Sequence, residues 1–420
     1  NVIQGNKYRF TVLSPRLIRL EYNDNGIFLD TPTELILHRD FGTSEFQVKD
    51  EAHFLEITTE YFKLTYTKDR PFEGSKVNQT INLKVELLGT DRVWYYGHPE
   101  VRNFGVPAAT LAEGGTTGHG LYSADGMASI DDSKDNIWHE DGTTAPREDG
   151  SIDIYLFMYK NDFEEALKDY YKLTGYPALI PRFALGNWWS RNNDYNDLSL
   201  KDLVDTFEKK QVPVSVILLD KDWHKRKYIG KNHLKTGFTF NNEYFKNPVA
   251  MISYLHSKGI RLGLNVNPTE GLYDIDQYYE EALKYLEADK NGKIPFNAFD
   301  PKFIDVYLKL FIHPLDTMGV DFFWLDIFDD SRKAELALLK HYQFYDMQRD
   351  YKRRPMVLAP DTALAPHRYP VLYSGKTVVS WATLKKIPFF NASAFNNGVS
   401  FWSHDIGGYF KGVEDGELYT

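Results

Sequence analysis

The sequence lacks cysteine, an excess of positive charge and long apolar runs, and each absence excludes a class of site or partner. It contains no cysteine among its 420 residues, so a disulfide framework and a thiolate site are both excluded. Positive charge is in deficit, with a formal net charge of −10, and this argues against a nucleic-acid partner because phosphate binding needs a basic face. No apolar run approaches the length of a membrane span, so no membrane partner is expected. Compartment and oligomeric state stay open.

A cluster of glycines early in the chain gives no cofactor site. A phosphate-cradling loop would need a lysine and a following helix start. Neither accompanies the cluster, which consists of Gly114, Gly115, Gly118 and Gly120. We interpret the cluster as a loop and predict no cofactor.

The first part of the chain predicts an N-terminal β-sandwich over residues 1–178. Its short runs alternate apolar and polar side chains between turn residues, which is typical of strands with one buried face. Examples are residues 8–13, 17–22, 53–57 and 62–66. A connecting helix is predicted at residues 162–173, where apolar side chains recur at helical spacing.

The rest of the chain predicts an α/β fold, a (β/α)8 TIM barrel over residues 179–420. Strand-like and helix-like segments alternate there, as a parallel barrel requires. The predicted strands are residues 183–189, 212–219, 260–266, 319–326, 355–359, 378–381 and 399–402. These are about seven strands rather than eight, so the C-terminal part of the barrel is expected to be missing from this sequence.

Polar side chains recur where the predicted barrel strands end. Since the carboxyl ends of barrel strands form one rim, where catalytic groups collect, these side chains are expected to converge. One buried carboxylate is easily explained as a helix cap, but several are costly to bury without a function. The residues concerned are Asp220 and Asp222, Asn265, Asp326, and His404 with Asp405.

Two chemistries use an acidic barrel rim. A metal site would want histidines at ligand spacing, and no close pair is present, so no metal is predicted. Glycoside hydrolysis instead needs two carboxyl groups that flank the scissile bond. Aromatic residues, at 15% of the chain, suit the apolar faces of sugars. Tryptophans near the predicted rim favour a carbohydrate substrate over a metal: Trp188, Trp189, Trp223, Trp324 and Trp402.

Six ordered motifs resemble glycoside hydrolase family 31. These are residues 186–191 (GNWWSR), 219–224 (LDKDWH), 237–241 (GFTFN), 263–268 (GLNVNP), 323–326 (FWLD) and 403–409 (SHDIGGY). The family consists of retaining α-glycosidases, among them α-glucosidases and α-galactosidases, with a β-sandwich before a (β/α)8 barrel. The resemblance extends from about Trp188 to the end of the chain, and more weakly over the sandwich.

The resemblance implies roles for individual residues. Asp326 would be the catalytic nucleophile, Asp220 would bind hydroxyl groups of the sugar, and Trp324 would line the same subsite. The other matching motifs imply that substrate is also bound by Trp189, Asp222, His404 and Asp405.

The sequence departs from the family pattern at two positions. The general acid of the family is an Asp after a glycine, and Lys376 stands there in residues 373–377 (YSGKT). The sugar-binding arginine of the family aligns with Pro360, which leaves Arg368 as the nearby guanidinium. A lysine could act as a general acid only if burial lowered its pKa, and neighbouring carboxylates would oppose that change.

Three interpretations of Lys376 compete. It binds an anionic or otherwise unusual group of the substrate; or another carboxyl group, such as Asp361 or Asp329, is the acid; or the protein binds sugar without efficient hydrolysis. We therefore predict a retaining, α-glucosidase-like hydrolase of α-linked glycosides, with Asp326 and Lys376 at the catalytic positions. The alternative is a carbohydrate-binding or regulatory relative that lacks an efficient general acid.

Overall fold

The computed structural model describes residues 1–68, 70–75, 80–112, 114–140, 142–191, 193–229, 232–327, 329–360 and 365–420. The chain divides into two compact units. The first contains Asn1–Pro177, Lys376–Ser400 and Asp405–Thr420, and the second contains Ala178–Gly375 and Phe401–His404. The domain boundary placed at residue 178 from the sequence stays a prediction.

Two antiparallel sheets form the framework of the first unit. One has the strand order Val2–Gln4, Tyr8–Ser14, Leu17–Tyr22, Ile152–Met158 and Met127–Asp131. The other follows the chain as Gln47–Asp50, Phe54–Thr58, Phe62–Thr67, Leu83–Leu87 and Val93–Tyr95. Inward side chains of both sheets, such as Phe10, Leu20, Leu64 and Val85, share one buried cluster. The N-terminal β-sandwich predicted from alternating side chains is thus confirmed.

A helix, Phe163–Thr174, covers the other face of the first sheet. Its buried Ala166, Tyr170 and Leu173 pack with Tyr155 and Phe157 of the strand Ile152–Met158, so the apolar side chains that recur at helical spacing are core packing. The remaining elements of this unit are the strand pairs Val106–Pro107 with Thr116–Thr117 and Ile137–Trp138 with Thr144–Ala145, and the helices Trp381–Asn396 and Gly416–Tyr419.

Seven neighbouring parallel strands lie in the described part of the second unit. Five of them form one sheet in chain order: Trp188–Ser190, Val216–Leu219, Arg261–Asn265, Phe322–Trp324 and Val357–Leu358. A parallel bridge from Ala359 to Leu372 continues the order to Leu372–Tyr373, which pairs with Trp402–Ser403. The strands are mostly apolar because both faces are covered, as in a parallel α/β barrel. The predicted (β/α) barrel class is confirmed.

The helices of the second unit lie between these strands in the chain. The α-helices are Asp197–Lys209, Pro248–Ser257, Tyr279–Leu286, Pro301–Val306, His313–Met318 and Lys333–Asp346, with a π-helical stretch at Tyr307–Ile312. Short 3-10 helices are Arg182–Leu185, Lys221–Trp223, Asp330–Arg332 and Pro366–Arg368. Two small antiparallel pairs complete the unit: Tyr228–Ile229 with Asn232–His233, and Leu272–Tyr273 with Lys293–Ile294.

The third and fourth parallel strands approach each other closely at Gly263. A Cβ atom at this position would lie 2.4 Å from the ring of Phe322 and 2.7 Å from a methyl group of Leu218. At the start of the fourth strand, the Asp321 carboxylate accepts a hydrogen bond from the Leu262 N–H at 2.8 Å. These contacts fix the register that brings Asn265 opposite Trp324.

One predicted strand is largely misplaced and another is wrong. In the strand predicted at residues 183–189, the chain instead forms the 3-10 helix Arg182–Leu185 and becomes a strand only at Trp188. Residues 378–381 do not form a strand: Val378 makes only an isolated bridge with Phe410, and Trp381 begins the helix Trp381–Asn396. The Ser380 side chain caps that helix by accepting from the Thr383 N–H at 3.1 Å. The sixth parallel strand is instead Leu372–Tyr373, which is too short for a sequence pattern to reveal.

Candidate active site

The second and third parallel strands bring Asp220 and Asn265 into contact. Asp220 directly follows the strand Val216–Leu219, and Asn265 ends the strand Arg261–Asn265. The Asn265 side-chain Nδ2 donates to Asp220 Oδ1 at 2.9 Å. Trp223, which is fully buried, donates its indole N–H to the Asn265 carbonyl oxygen at 2.8 Å. The loop after the second strand is therefore tied to the end of the third.

Asp222 and His224 lie on this same loop. The Asp222 carboxylate forms an ion pair with Arg226, whose guanidinium is also 3.9 Å from Asp194. His224 is buried, and burial lowers the pKa of its imidazole. Its Nδ1 donates to the Lys225 carbonyl oxygen at 2.7 Å. Asp222 thus has a cationic partner in the protein, and its predicted contact with substrate stays a prediction.

The end of the fourth strand presents Asp326 between two buried residues. Leu325 and Ile327 are 3% and 6% exposed, whereas Asp326 is half-buried. The backbone here is held by the Leu325 N–H, which donates to Leu358 at 2.8 Å, and by the Ile327 N–H, which donates to Leu325 at 2.9 Å. Because the flanking apolar side chains anchor this segment, the Asp326 carboxyl is positioned by the core of the unit.

Trp324 contributes a buried indole beside the same strand end. It is 3% exposed and packs edge-to-face against Tyr373, with ring centroids 5.4 Å apart. Its Nε1 is buried and has no hydrogen-bond partner among the residues that the structure describes. A buried donor of this kind in a native protein calls for an explanation.

Trp189 lies on the first parallel strand and is half-buried. Its indole N–H donates to the Tyr195 hydroxyl at 2.9 Å, and its ring meets Phe207 edge-on at 5.0 Å. The Arg191 guanidinium lies over the ring, 5.9 Å from the centroid. These contacts fix the ring orientation at the C-terminal end of the strand.

His404 follows the seventh strand and is oriented by Ser374, which follows the sixth strand. The buried Ser374 hydroxyl donates to the Ser403 carbonyl oxygen at 3.3 Å and accepts from His404 Nδ1 at 2.8 Å. Burial lowers the pKa of His404 to about 4, so the imidazole is neutral at physiological pH. A neutral imidazole with Nδ1 protonated presents Nε2 as a hydrogen-bond acceptor.

Lys376 and Asp405 belong to the first compact unit, whereas the other predicted site residues belong to the second. Within the first unit, the Lys376 ammonium lies 5.0 Å from the centroid of the Tyr409 ring. The Asp405 carbonyl oxygen accepts from the Gly408 N–H at 3.3 Å, in the turn that leads to Tyr409. Lys376 is half-buried.

Arg368 is 5% exposed and packs against Tyr369, whose ring centroid is 5.4 Å from the guanidinium carbon. It also helps to depress the pKa of His341, although burial is the larger cause of that fall to about 3. His341 Nδ1 is 2.6 Å from the Tyr369 hydroxyl. These surroundings explain Arg368 as a packed core residue, and its contact with sugar stays a prediction.

Asp361 and Asp329 are the two alternative candidates for the general acid. Asp361 lies outside the described residues. Asp329 accepts from the Ser331 N–H at 3.0 Å and from its hydroxyl at 2.6 Å, so it caps the turn Asp330–Arg332. That capping role accounts for Asp329 without catalysis.

Two buried ionisable residues near the strand ends were missed by sequence reasoning. Lys340, on the helix Lys333–Asp346, is 1% exposed and lines a small cavity with Leu325, Ile327, Ala359 and Pro360. Asp276 is 5% exposed, with a raised pKa. A single charge in a helix or loop gives no sequence signal of burial, since such residues are mostly exposed.

Asp276 ties the loop after the second strand to the loop after the third. Its Oδ1 accepts from the Phe238 N–H at 2.6 Å and from the Thr239 hydroxyl at 3.1 Å. Its Oδ2 is buried without a hydrogen-bond partner in the described chain. Burial, only partly offset by these hydrogen bonds, raises the pKa of Asp276 to about 6.

The described ranges contain neither a metal-binding cluster nor a membrane-spanning helix. No group of three or more His, Asp or Glu side chains there is arranged to hold a metal ion. Within the same ranges, every helix is too short or too polar to cross a membrane.

Comparison with known proteins relates the chain to one enzyme family. The model of the glycosyl hydrolases family 31 TIM-barrel domain matches residues 177–420, more than half of the chain. An alpha-xylosidase of Saccharolobus solfataricus is 26% identical over 377 residues, which make up 83% of this chain and 48% of that protein. Alpha-glucosidase 2 of Bacillus thermoamyloliquefaciens is 24% identical over 315 residues, 65% of this chain and 38% of that protein. The chain thus spans about half the length, or less, of these relatives.

Solved structures share the fold. A family 31 dextranase of Flavobacterium johnsoniae matches with a TM-score of 0.69 and 17% identity, over 100% of this chain and 61% of that one. A family 31 alpha-xylosidase from Xanthomonas citri matches with a TM-score of 0.66 and 13% identity, over 97% of this chain and 68% of that one.

The raised pKa of Asp276 predicts a pH-dependent loss of stability. Because its pKa is higher in the folded state than its ordinary value of about 4, the folded protein binds this proton more tightly than the unfolded chain. Stability should therefore fall as the pH rises from about 4 to about 6. In Asp276→Asn this loss should vanish. Between pH 4 and pH values above 6, the difference in free energy of unfolding between variant and wild type should therefore shift in favour of the variant by about 1 to 3 kcal/mol.

Thermal melting of Asp276→Asn and wild type between pH 4 and 8 measures this difference. The exposed variant Asp274→Asn carries the same change in net charge and serves as the control. A difference between Asp276→Asn and wild type that stays constant with pH would contradict the prediction.

Proposed function

The chain belongs to glycoside hydrolase family 31, and from this premise we propose that it hydrolyses α-linked glycosides with retention, through a covalent glycosyl-enzyme intermediate. The observation that carries the proposal is Asp326, half-buried between the anchored Leu325 and Ile327 at the end of a parallel barrel strand. Relatives named alpha-xylosidase and alpha-glucosidase support this substrate class.

In the proposed mechanism Asp326 is the nucleophile. An oxygen of its carboxylate forms a bond to the anomeric carbon while the glycosidic C–O bond breaks and the leaving oxygen takes up a proton. Water then attacks the anomeric carbon while the bond of that carbon to the Asp326 carboxylate breaks, and the proton that the water loses passes to the group that protonated the leaving oxygen. The anchored backbone on both sides of Asp326 supports this role, because a nucleophile must hold its position through both steps.

The sugar would be bound by polar and aromatic groups at the neighbouring strand ends. Asp220, held by Asn265, would accept a hydrogen bond from a sugar hydroxyl, and the buried indole N–H of Trp324 would donate one. The neutral His404, oriented by Ser374, would accept another. The further proposed contacts with substrate are those of Trp189, Asp222, Arg368 and Asp405.

The role of Lys376 distinguishes a protein that hydrolyses sugar from one that only binds it. The motif places a lysine where the family has its general acid, and within its own unit this lysine lies over the Tyr409 ring. A lysine held as a cation can bind an anionic substrate group but cannot readily protonate a leaving oxygen. A carbohydrate-binding relative without an efficient acid is therefore the second candidate function.

We expect Asp326→Asn to abolish labelling by a fluorinated α-glycoside that traps the glycosyl-enzyme. The amide is a much poorer nucleophile than the carboxylate. Intact-mass spectrometry measures the labelled fraction. The control is Asp289→Asn, at an exposed aspartate of the second unit, which should still be labelled. Labelling of Asp326→Asn at the wild-type rate would remove Asp326 from this role.

We expect Asp220→Ala to weaken sugar binding about 10- to 100-fold, since it removes a charge-assisted hydrogen bond of about 1.5 to 3 kcal/mol. Calorimetric titration with the α-glycoside that wild type binds best measures this loss. A melting curve close to that of wild type shows that the fold is kept. Unchanged affinity in a folded variant would show that Asp220 does not bind the sugar.

We expect Lys376→Asp to gain activity on an unactivated α-glycoside, because general acid catalysis contributes about 10²- to 10⁴-fold. The matched control is Lys376→Asn, which removes the cation without supplying an acid and should show no such gain. Initial rates on a natural disaccharide and on a substrate with an activated leaving group provide the measurement. If wild type is already fast and Lys376→Asp is slower, the lysine binds substrate and another group is the acid.

A further inference from the structure

Asn265 joins three parts of the candidate site through separate atoms. Its side-chain Nδ2 donates to Asp220 Oδ1 at 2.9 Å, and its carbonyl oxygen accepts from the Trp223 indole at 2.8 Å. Its backbone lies opposite Trp324 in the parallel ladder of the third and fourth strands. Asn265 is also 6% exposed, so neighbouring groups leave its side chain little freedom.

We propose that Asn265 is a positioning residue, which holds the Asp220 carboxylate in the orientation that binds a sugar hydroxyl. The inference rests on the proposed function of the site. Asp220 follows the second strand as a half-buried side chain, and a carboxylate has only two side-chain torsions to fix. A hydrogen bond from a buried amide to one oxygen restricts these torsions and thereby the direction in which the other oxygen points.

The amide is the side chain that suits this position. An aspartate at 265 would set two carboxylates at hydrogen-bond distance, where like charges repel. An apolar residue of similar size would leave Asp220 Oδ1 without this donor. Because Asn265 itself is anchored by Trp223 and by the sheet, it can transmit the rigidity of the strands to Asp220.

The proposal is tested with a double-mutant cycle of Asn265→Ala and Asp220→Ala. Calorimetry gives the Kd of the α-glycoside that wild type binds best. We expect Asn265→Ala to weaken binding about tenfold in the wild-type background, as expected for losing the hydrogen bond to a charged group. In the Asp220→Ala background the same change should alter Kd less than about twofold, since nothing remains to be positioned.

Asn267 provides a matched control two residues further along. It is 7% exposed, and its Oδ1 accepts from the Thr269 N–H at 3.1 Å and from the Thr269 hydroxyl at 2.6 Å. Asn267→Ala therefore removes a buried amide of equal size without touching Asp220. A second variant, Asn265→Asp, keeps the size of the side chain and should weaken binding at neutral pH at least as much as Asn265→Ala.

The outcomes separate this inference from the proposed function. If wild type binds no α-glycoside in calorimetry, the proposed function fails. If wild type binds and Asn265→Ala binds equally well, or weakens equally with and without Asp220, the positioning role is overturned while the proposed function stands. Loss of affinity in Asn267→Ala as large as in Asn265→Ala would also overturn it, because general loosening of the loop would then explain both. If Asn265→Ala fails to fold, the same comparisons are made with Asn265→Asp.

Discussion

The site depends on the parallel pairing of the second, third and fourth strands of the second unit. Gly263 lets the third strand approach Phe322 and Leu218 more closely than any side chain would allow. Burial of the apolar strand residues, at roughly 25 cal/mol per Å², supplies the driving force for this pairing. The register that results aligns Asn265 with Trp324, so the polar residues that follow each strand emerge at one edge.

In this arrangement different residues provide the stability of the fold and the chemistry of the site. The residues that precede each strand end are apolar and buried, and their burial offsets the conformational entropy that the chain loses when it becomes ordered. The polar residues can then be selected for chemistry rather than for stability. Asp326 illustrates the division, since Leu325 and Ile327 on either side of it are buried whereas the carboxyl itself is half-buried. Carboxylates held by a packed framework need no reorganisation when substrate binds.

Sequence patterns predicted those features that depend on burial over several residues. The sandwich strands and the apolar run before Asp326 have a clear period or length, and both were found where expected. Leu372–Tyr373 was missed because a strand of two residues has no period. The contact of Asn265 with Asp220 joins residues 45 positions apart, and the burial of Lys340 depends on packing between distant segments. Such pairings follow from register, which a single sequence does not encode locally.

In the proposed function, Lys376 replaces the residue that would protonate the leaving oxygen. Asp220 and Asp326 are half-buried and do not belong to the apolar core, so packing alone does not account for carboxylates at these strand ends. In the proposed function these carboxylates bind and attack the sugar, with Asp220 held by a buried amide, whereas Lys376 stands in place of the group that would deliver a proton. Binding and protonation are separable demands, since binding needs fixed donors and acceptors, whereas protonation needs a matched pKa. We therefore expect the lysine to change the leaving groups that can be released more than it changes the sugar that can be held.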